Sequence, residues 1–255
     1  MIITKIRHIL IFVFIVFICA SYFYKDGYKS ISDVNRDVIA TPVQTPVANQ
    51  KTINFEKGGF SYTLTTVQDY TITGLVLHTQ NYDAWYSLSR TDKTFSKDIC
   101  VVWGKTLQSK SYQSLDVTQD SHWCWWNYYK PGLVVNSDEI SNNHLITSSQ
   151  SVEKQILSIG GGDQIRIFGK LVNVHASALG QAHEFEPQQA DWFTSTSRND
   201  SGAGACEIIY VERVDILKSG HSISRFFYSA GWYGLYIVLI WSLVNFIVSL
   251  KSKNI

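Results

Sequence analysis

The chain as a whole has almost no excess of positive or negative charge. The 22 Lys and Arg residues face 21 Asp and Glu residues, which leaves a formal net charge of +1 at pH 7. Such a balance produces no strong field of one sign, whereas binding along a phosphate backbone needs a basic groove or patch. The composition therefore disfavours nucleic acid as a partner.

Charge is missing altogether from residues 226–250. A helix needs roughly 20 apolar residues to cross the hydrocarbon core of a bilayer, so this segment predicts a transmembrane helix. Lys251 and Lys253 follow it, and positive residues beside a span favour the cytoplasmic side. Arg225, at the other flank, opposes this slightly. We expect the tail 251–255 in the cytoplasm and the preceding domain outside.

A second apolar segment, 9–24, follows a short basic N-terminus, 1–8. It is short for a span and has the layout of a secretory signal. Ala20 suits a signal cleavage site, but the bulky Ile18 does not, so we prefer an uncleaved anchor with a cytoplasmic N-terminus and keep a cleaved signal as the alternative. Both versions export the middle of the chain. The predicted location is a bacterial inner membrane with a periplasmic domain.

Proline is scarce, with 4 in the chain. Pro42 and Pro46 stand close together among Thr, Gln and Ala, a composition typical of a semi-extended tether. The sequence thus predicts a tether over 25–52 and one β domain over 53–217, which is long enough for a single core.

Strand patterns recur through this domain, each closed by turn residues, at 70–78, 98–104, 123–129, 164–174 and 207–217. A helix stands between the third and fourth of them. Thr147 and Gln150 have capping-box spacing at its start, and glycines 160–162 end it. This order predicts an OB-like five-stranded barrel. A small sandwich or another α+β barrel is the alternative.

Three stretches, Ser141–Ile146, Gly162–Gly169 and Ser197–Glu207, contain His-Leu-Ile, Gly-Asp-x-Ile-Arg and Gly-Ala-Cys-Glu in that order. Together they resemble a family of uncharacterised bacterial membrane-anchored envelope proteins with an OB-like domain. The resemblance covers roughly 65–217. It implies the fold and the membrane address, and it implies no reaction.

His144 is the candidate catalytic residue, because it follows two asparagines and precedes the predicted helix, where a side chain can face a groove. A general base there needs a partner such as Asp200 or Glu207, brought close by the fold. The preferred interpretation is structural, with Asn142, Asn143 and His144 fixing the turn before the helix. We therefore expect a non-enzymatic binding module, with an envelope hydrolase as the alternative.

A metal site is not predicted. His175, His183, Glu184 and Glu186 lack the close paired spacing of zinc ligands, and Cys100 and Cys124 form no Cys-x-x-Cys unit. No cofactor is expected either.

Aromatic residues on the second and third predicted strands form the candidate binding surface: Trp103, Trp125 and Tyr128, together with Arg198. In OB domains this face is the usual site for ligands that stack on rings. Side chains alternate along a strand, so some of the rings must be core. Because cations are few nearby, a glycan or an envelope protein is the expected partner.

Cysteine is also scarce. Of the 4 in the chain, Cys19 lies in the anchor segment, and an oxidising compartment lets the other three form one disulfide. Cys100 and Cys124, on neighbouring predicted strands, are the preferred pair, with Cys206 as the competing partner.

Beyond the bilayer itself, a second copy of the chain is a possible partner. Ala230 and Gly234 place small residues four apart on the C-terminal helix, which permits close helix packing.

Overall fold

The computed structural model describes residues 2–82, 94–120, 122–128, 132–180, 188–200 and 205–253. Two compact units are present. One unit comprises the terminal segments, up to Gly27 and from His221 onward, and the other comprises Tyr28–Gly220.

The terminal unit consists of two helices, α1 (Ile2–Tyr22) and α4 (Ser222–Lys253). Among the described residues, these are the helices long and apolar enough to cross a membrane, with mean hydropathies of 1.9 and 2.0 over their most apolar parts. Helix α1 begins earlier than the predicted segment 9–24, because the Lys and Arg residues before it are good helix formers.

Glycines bring α1 and α4 into close contact within the terminal unit. A Cβ atom at Gly231 would lie 2.6 Å from Ile18, and one at Gly234 would lie 2.3 Å from the ring of Phe14. Phe17 packs edge-on against α4 as well, with its ring centroid 5.0 Å from that of Phe227. The small-residue face proposed for a second copy therefore contacts α1 of the same chain.

The second unit is mainly β. Its strands are β1 (Val43–Pro46), β2 (Thr52–Lys57), β3 (Phe60–Asn81), β4 (Lys97–Val102), β5 (Leu115–Asp120), β6 (Trp123–Tyr128), β7 (Ile140–Ile146), β8 (Gln164–Ala178), β9 (Gln189–Trp192) and β10 (Glu207–Lys218). Its α-helices are α2 (Gly104–Gln108) and α3 (Gln150–Ser158). Short 3-10 helices lie at Arg36–Ile39, Ser111–Ser114 and Ser137–Glu139.

These strands form an 8-stranded sheet in the order β1-β3-β4-β7-β10-β8-β9, with β2 beside β3, and a 2-stranded sheet of β5 and β6. The long strand β3 pairs with β8 as well as with β4. The pairings therefore run from β3 through β4, β7, β10 and β8 and return to β3. Within this circuit, β7 and β10 are parallel and the other pairs are antiparallel.

The third strand of the circuit differs from the prediction. The aromatic segment 123–129 contains β6, which pairs with β5 in the smaller sheet, while β7 occupies the place between β4 and β10. The polar residues of β7 give no local strand pattern, because the strand is stabilised by pairing with β4 and β10, which are distant in sequence. Helix α3 also begins differently: its N-cap is Ser149, whose hydroxyl accepts from the Val152 N–H, and not Thr147.

Much of the predicted tether, 25–52, belongs to the folded domain. The hydroxyl of Tyr28 donates to the Leu115 carbonyl at 2.5 Å, and Val38 is fully buried. Strand β1 pairs with β3. Tyr28 and Val38 are buried in an apolar cluster of the domain, which is the physical reason that this segment does not extend freely.

A disulfide joins the two sheets. Cys100 on β4 and Cys124 on β6 are bonded, with their Cα atoms 5.9 Å apart, within the usual range for such a bridge. The expected pair is thus present, but it connects strands of different sheets instead of hydrogen-bonded neighbours. Around it, β3, β4, the 3-10 helix Ser111–Ser114 and the β5–β6 hairpin bury a shared apolar cluster that includes Leu75, Tyr112 and Leu115.

Candidate functional site: a buried Asp–His cluster beside an aromatic cleft

The pairing of β4 with β7 places Asp98 directly opposite His144. Side chains at such cross-strand positions are close enough to interact. The Oδ1 atom of Asp98 and the Nδ1 atom of His144 are 2.8 Å apart. Asp98 has no exposed surface and His144 is 6% exposed, so this is a buried carboxylate–imidazole pair.

A second histidine reaches the same carboxylate from the end of the β5–β6 hairpin. The Nδ1 atom of His122 lies 3.1 Å from Oδ2 of Asp98, and the backbone there has φ of 73°, which is uncommon outside glycine. Asn142 on β7 holds the hairpin end, since its Nδ2 donates to the His122 carbonyl at 2.6 Å. Its Oδ1 accepts from Gln119 at 2.5 Å.

Aromatic rings surround this cluster. The ring of Phe95 stacks on His144 with centroids 4.9 Å apart, and the ring of Tyr82 stacks on His122 at 4.5 Å. The Tyr82 hydroxyl also donates to Oδ2 of Asp98 at 2.6 Å. Apolar surroundings lower the local dielectric and strengthen the interaction between charges.

The environment changes the protonation of the pair. Burial by itself lowers the pKa of His144, but the Asp98 carboxylate outweighs it and the pKa is raised to about 10, with a further contribution from the thiol of Cys206. Burial likewise raises the pKa of Asp98, and the two imidazoles hold it below its usual value. Without another ligand, the two groups form an ion pair at neutral pH.

A cleft of about 190 Å³ lies beside the cluster, between the β5–β6 hairpin, the start of β7 and the chain that leads into β10. Its lining consists of Trp103, Trp123, Cys124, Trp126, Ser137, Asp138, Ile140, Ser141, Asn142, Ser197, Arg198, Asp200, Ala205, Cys206 and Glu207. The lining therefore combines indole rings with carboxylates, an amide and hydroxyls.

Arg198 is fixed in the cleft by several contacts. One terminal nitrogen binds the carboxylate of Glu207, and the other donates to the Tyr70 hydroxyl at 2.6 Å. The guanidinium also lies over the ring of Trp103, 5.6 Å from its centroid. Burial raises the pKa of Glu207 to about 7, although the charge of Arg198 acts in the opposite direction.

The hydrolase hypothesis paired His144 with Asp200 or Glu207, and the structure shows other partners. Asp200 accepts a hydrogen bond from Ser195, and Glu207 binds Arg198. His144 faces Asp98 because the β4–β7 register sets them opposite each other. It also lies within β7 and not in a turn before α3, so its structural role differs from the one predicted.

The four binding-surface candidates divide into two groups. Trp103 and Arg198 line the cleft, although Trp103 is only 1% exposed. Trp125 and Tyr128 are about half exposed and lie outside the described lining. Trp123 and Trp126 of the same strand line the cleft instead. Which tryptophans face the cleft depends on how the β5–β6 hairpin packs against the rest of the domain.

Sequence reasoning missed Asp98 and His122 as site residues. The available signals were an acidic residue at the start of the apolar β4 and a histidine before the aromatic run. Of the residues weighed as metal ligands, His175 pairs with Asp191 at 2.7 Å, while 181–187 lie outside the described part of the chain.

Comparison of the chain with protein-family models, with curated proteins and with solved structures found no match. The function is therefore inferred from the contacts of the buried cluster and of the cleft.

Proposed function

We propose that this chain is a membrane-anchored binding protein whose β domain takes a neutral glycan into the cleft. The observation that carries the proposal is the lining of the cleft, which combines indole rings with hydrogen-bonding side chains. Ligand sites are typically concave, with aromatic walls and a few placed polar groups.

The domain is proposed to be an OB-like barrel. The closed circuit of pairings, the parallel β7–β10 pair and the position of α3 between β7 and β8 support this. A Cβ atom at Gly169 would lie 2.2 Å from the Tyr210 carbonyl oxygen, so glycine permits the close approach of β8 to β10 that a curled sheet requires. The cleft then lies on the strand face and the late loop that OB domains use for ligands.

The domain is proposed to face the periplasm. The basic residues Lys5, Arg7, Lys251 and Lys253 flank the two apolar helices at the chain ends, and such residues favour the cytoplasm. The disulfide is consistent with an oxidising compartment. A reporter enzyme that works only in the periplasm should be active when it is inserted at Gly180. Activity of a cytoplasmic reporter at the same position would show the opposite orientation.

The charge of the cleft favours a neutral ligand. Of the described lining residues, Asp138, Asp200 and Glu207 are acidic, and Arg198 is the cation. Arg198 is already engaged by Glu207 and Tyr70. An anionic ligand would meet unfavourable charge, whereas sugar hydroxyls can bond to carboxylates and amides while an indole ring covers the apolar face of the sugar.

Titration of the full chain with neutral oligosaccharides, followed by tryptophan fluorescence, tests the proposal. We expect Trp126→Ala to weaken binding by about 5–150-fold, because loss of a stacked aromatic in a binding site costs about 1–3 kcal/mol. Trp125→Ala is the matched control on the same strand and should bind as wild type. Equal binding by both variants, or preference for an anionic oligosaccharide or a cationic peptide, would contradict the assignment.

A thiol hydrolase is the second candidate, and one observation favours it. Cys206 lines the cleft, and its thiol contributes to the raised pKa of His144, whose imidazole faces Asp98. A cysteine beside a histidine that a third group orients is a typical nucleophile arrangement. Alkylation by iodoacetamide, mapped by peptide analysis, should then be fast at Cys206 and slow in His144→Gln. Equal labelling rates would exclude this activity.

A further inference from the structure

We infer that Asp98, His122 and His144 form a binding site for a divalent transition metal, with zinc as the expected ion. The inference is independent of the proposed glycan cleft, because these three residues are not among its described lining. It rests on the convergence of their ligand atoms and on buried atoms that lack a hydrogen-bond partner.

The ligand atoms converge on one point. One nitrogen from each imidazole and one oxygen of the carboxylate all lie within 4.8 Å of one another. Nδ1 of His144 is 2.8 Å from Oδ1 of Asp98, and Nδ1 of His122 is 3.1 Å from Oδ2 of the same carboxylate. Zinc binds nitrogen and oxygen at about 2.0–2.2 Å. Tetrahedral ligands at that distance are separated by about 3–3.5 Å, so the imidazoles and the carboxylate must move closer from their limit of 4.8 Å when they bind the ion.

Two atoms of the cluster lack a directed partner. Nδ1 of His144 and Oδ1 of Asp98 are buried and make no hydrogen bond within the described structure, although they are 2.8 Å apart. The imidazole nitrogen therefore does not point along the line to the oxygen. A metal site has this arrangement, because the nitrogen points at the ion and the carboxylate oxygen lies beside that direction.

The surroundings match those of a metal site. Ligating carboxylates are usually oriented by an outer hydrogen bond, and the Tyr82 hydroxyl donates to Oδ2 of Asp98. The stacked rings of Phe95 and Tyr82 supply an apolar shell. Two imidazoles and one carboxylate are a known ligand set for zinc and for ferrous iron.

The ion would link three parts of the domain. Asp98 comes from β4, His144 from β7 and His122 from the end of the β5–β6 hairpin. The hairpin is already joined to β4 by the Cys100–Cys124 disulfide, two residues further along each segment. Metal binding would thus provide a second attachment of the hairpin.

The experiment uses the full chain, exported to the periplasm, purified in detergent and stripped with EDTA. After incubation with Zn²⁺ and gel filtration, about one equivalent of zinc should remain bound, as expected for a single site. Co²⁺ should give visible absorption bands that Zn²⁺ removes. His122→Gln, at the partly exposed ligand, should retain less than a tenth of the metal, and Tyr82→Phe should weaken binding by about 10–100-fold.

His175→Gln is the matched control, because His175 also pairs with a carboxylate, Asp191, at 2.7 Å, and within the described part of the chain this pair belongs to no cluster of three ligands. It should bind zinc as wild type does, and circular dichroism should show that all variants are folded. Folded wild type without bound metal, or His122→Gln with undiminished zinc, would show that the cluster is an ion pair only. Loss of metal in the His175 variant would place the site elsewhere.

Discussion

Two histidine–carboxylate pairs in this domain have nearly equal lengths and opposite environments. His144 and Asp98 are 2.8 Å apart with side chains 8% and 0% exposed, whereas His175 and Asp191 are 2.7 Å apart with side chains 45% and 56% exposed. An exposed pair is screened by water and typically contributes about 0–1 kcal/mol. Breaking a buried pair leaves a charge without compensation and costs far more. The distance alone therefore does not indicate how important a pair is.

The largest expected effect comes from breaking the buried pair. His144→Ala, measured in EDTA so that metal does not contribute, should lower the free energy of unfolding by about 3–5 kcal/mol, because the buried Asp98 carboxylate loses the nearer of its two imidazole partners. Thermal and denaturant unfolding of the full chain in detergent measure this.

Replacing both partners provides the control. In Asp98→Asn with His144→Ala the buried charge is gone, so the double variant should be more stable than His144→Ala alone. If His144→Ala unfolds at the wild-type temperature, burial does not strengthen this pair and the comparison fails.

The strands with regular patterns could be predicted from sequence. β3, β8 and β10 alternate or carry β-branched residues, a signal that is local in the chain. β7 could not be recognised in the same way, because Asn142, Asn143 and His144 have low strand preference and are stabilised by partners from β4 and the hairpin. The aromatic run of β6 predicted a strand correctly, but its sheet depends on contacts that no local pattern contains.

The site shows the same division. His144 could be singled out by its residue type, and the Cys100–Cys124 pair by the predicted oxidising compartment. Asp98 and His122 become partners of His144 only through the β4–β7 register and the position of the hairpin end. Asp200 and Glu207 lie in the Ser197–Glu207 stretch singled out by its motif, yet they bind Ser195 and Arg198.

Removing the disulfide should have the next largest effect and would sharpen the comparison. Cys124→Ser opens a loop with a sequence separation of 24, which corresponds to a loss of about 2–4 kcal/mol. It also removes the covalent link between β4 and the hairpin that places His122 beside Asp98. Hydrogen exchange of β5 and β6 should therefore increase together with the loss of stability.

Cys206→Ser is the control for that experiment, because Cys206 is a free cysteine. It should change the free energy of unfolding much less than Cys124→Ser does. Equal effects would mean that the disulfide does not stabilise the hairpin.

Another buried carboxylate, that of Glu207, tests the role of burial through the pH dependence of stability. The pKa of Glu207 is raised to about 7 in the folded domain, above its ordinary value of about 4.3. The folded state therefore holds the proton more tightly, and its contribution to stability is present below about pH 4.3 and is lost as pH rises to about 7. Relative to Glu207→Gln, wild type should lose about 2–3 kcal/mol between about pH 4.5 and 7.5.

The smallest effect is expected at the exposed pair. His175→Ala removes a 2.7 Å contact with Asp191, but water solvates the carboxylate left behind, so the free energy of unfolding should fall by less than about 1 kcal/mol. Added salt should reduce even that difference, because exposed charges are screened. The same salt should change the effect of His144→Ala little, since its partner is buried. If His175→Ala proves as destabilising as His144→Ala, contact distance and not burial determines the strength of these pairs.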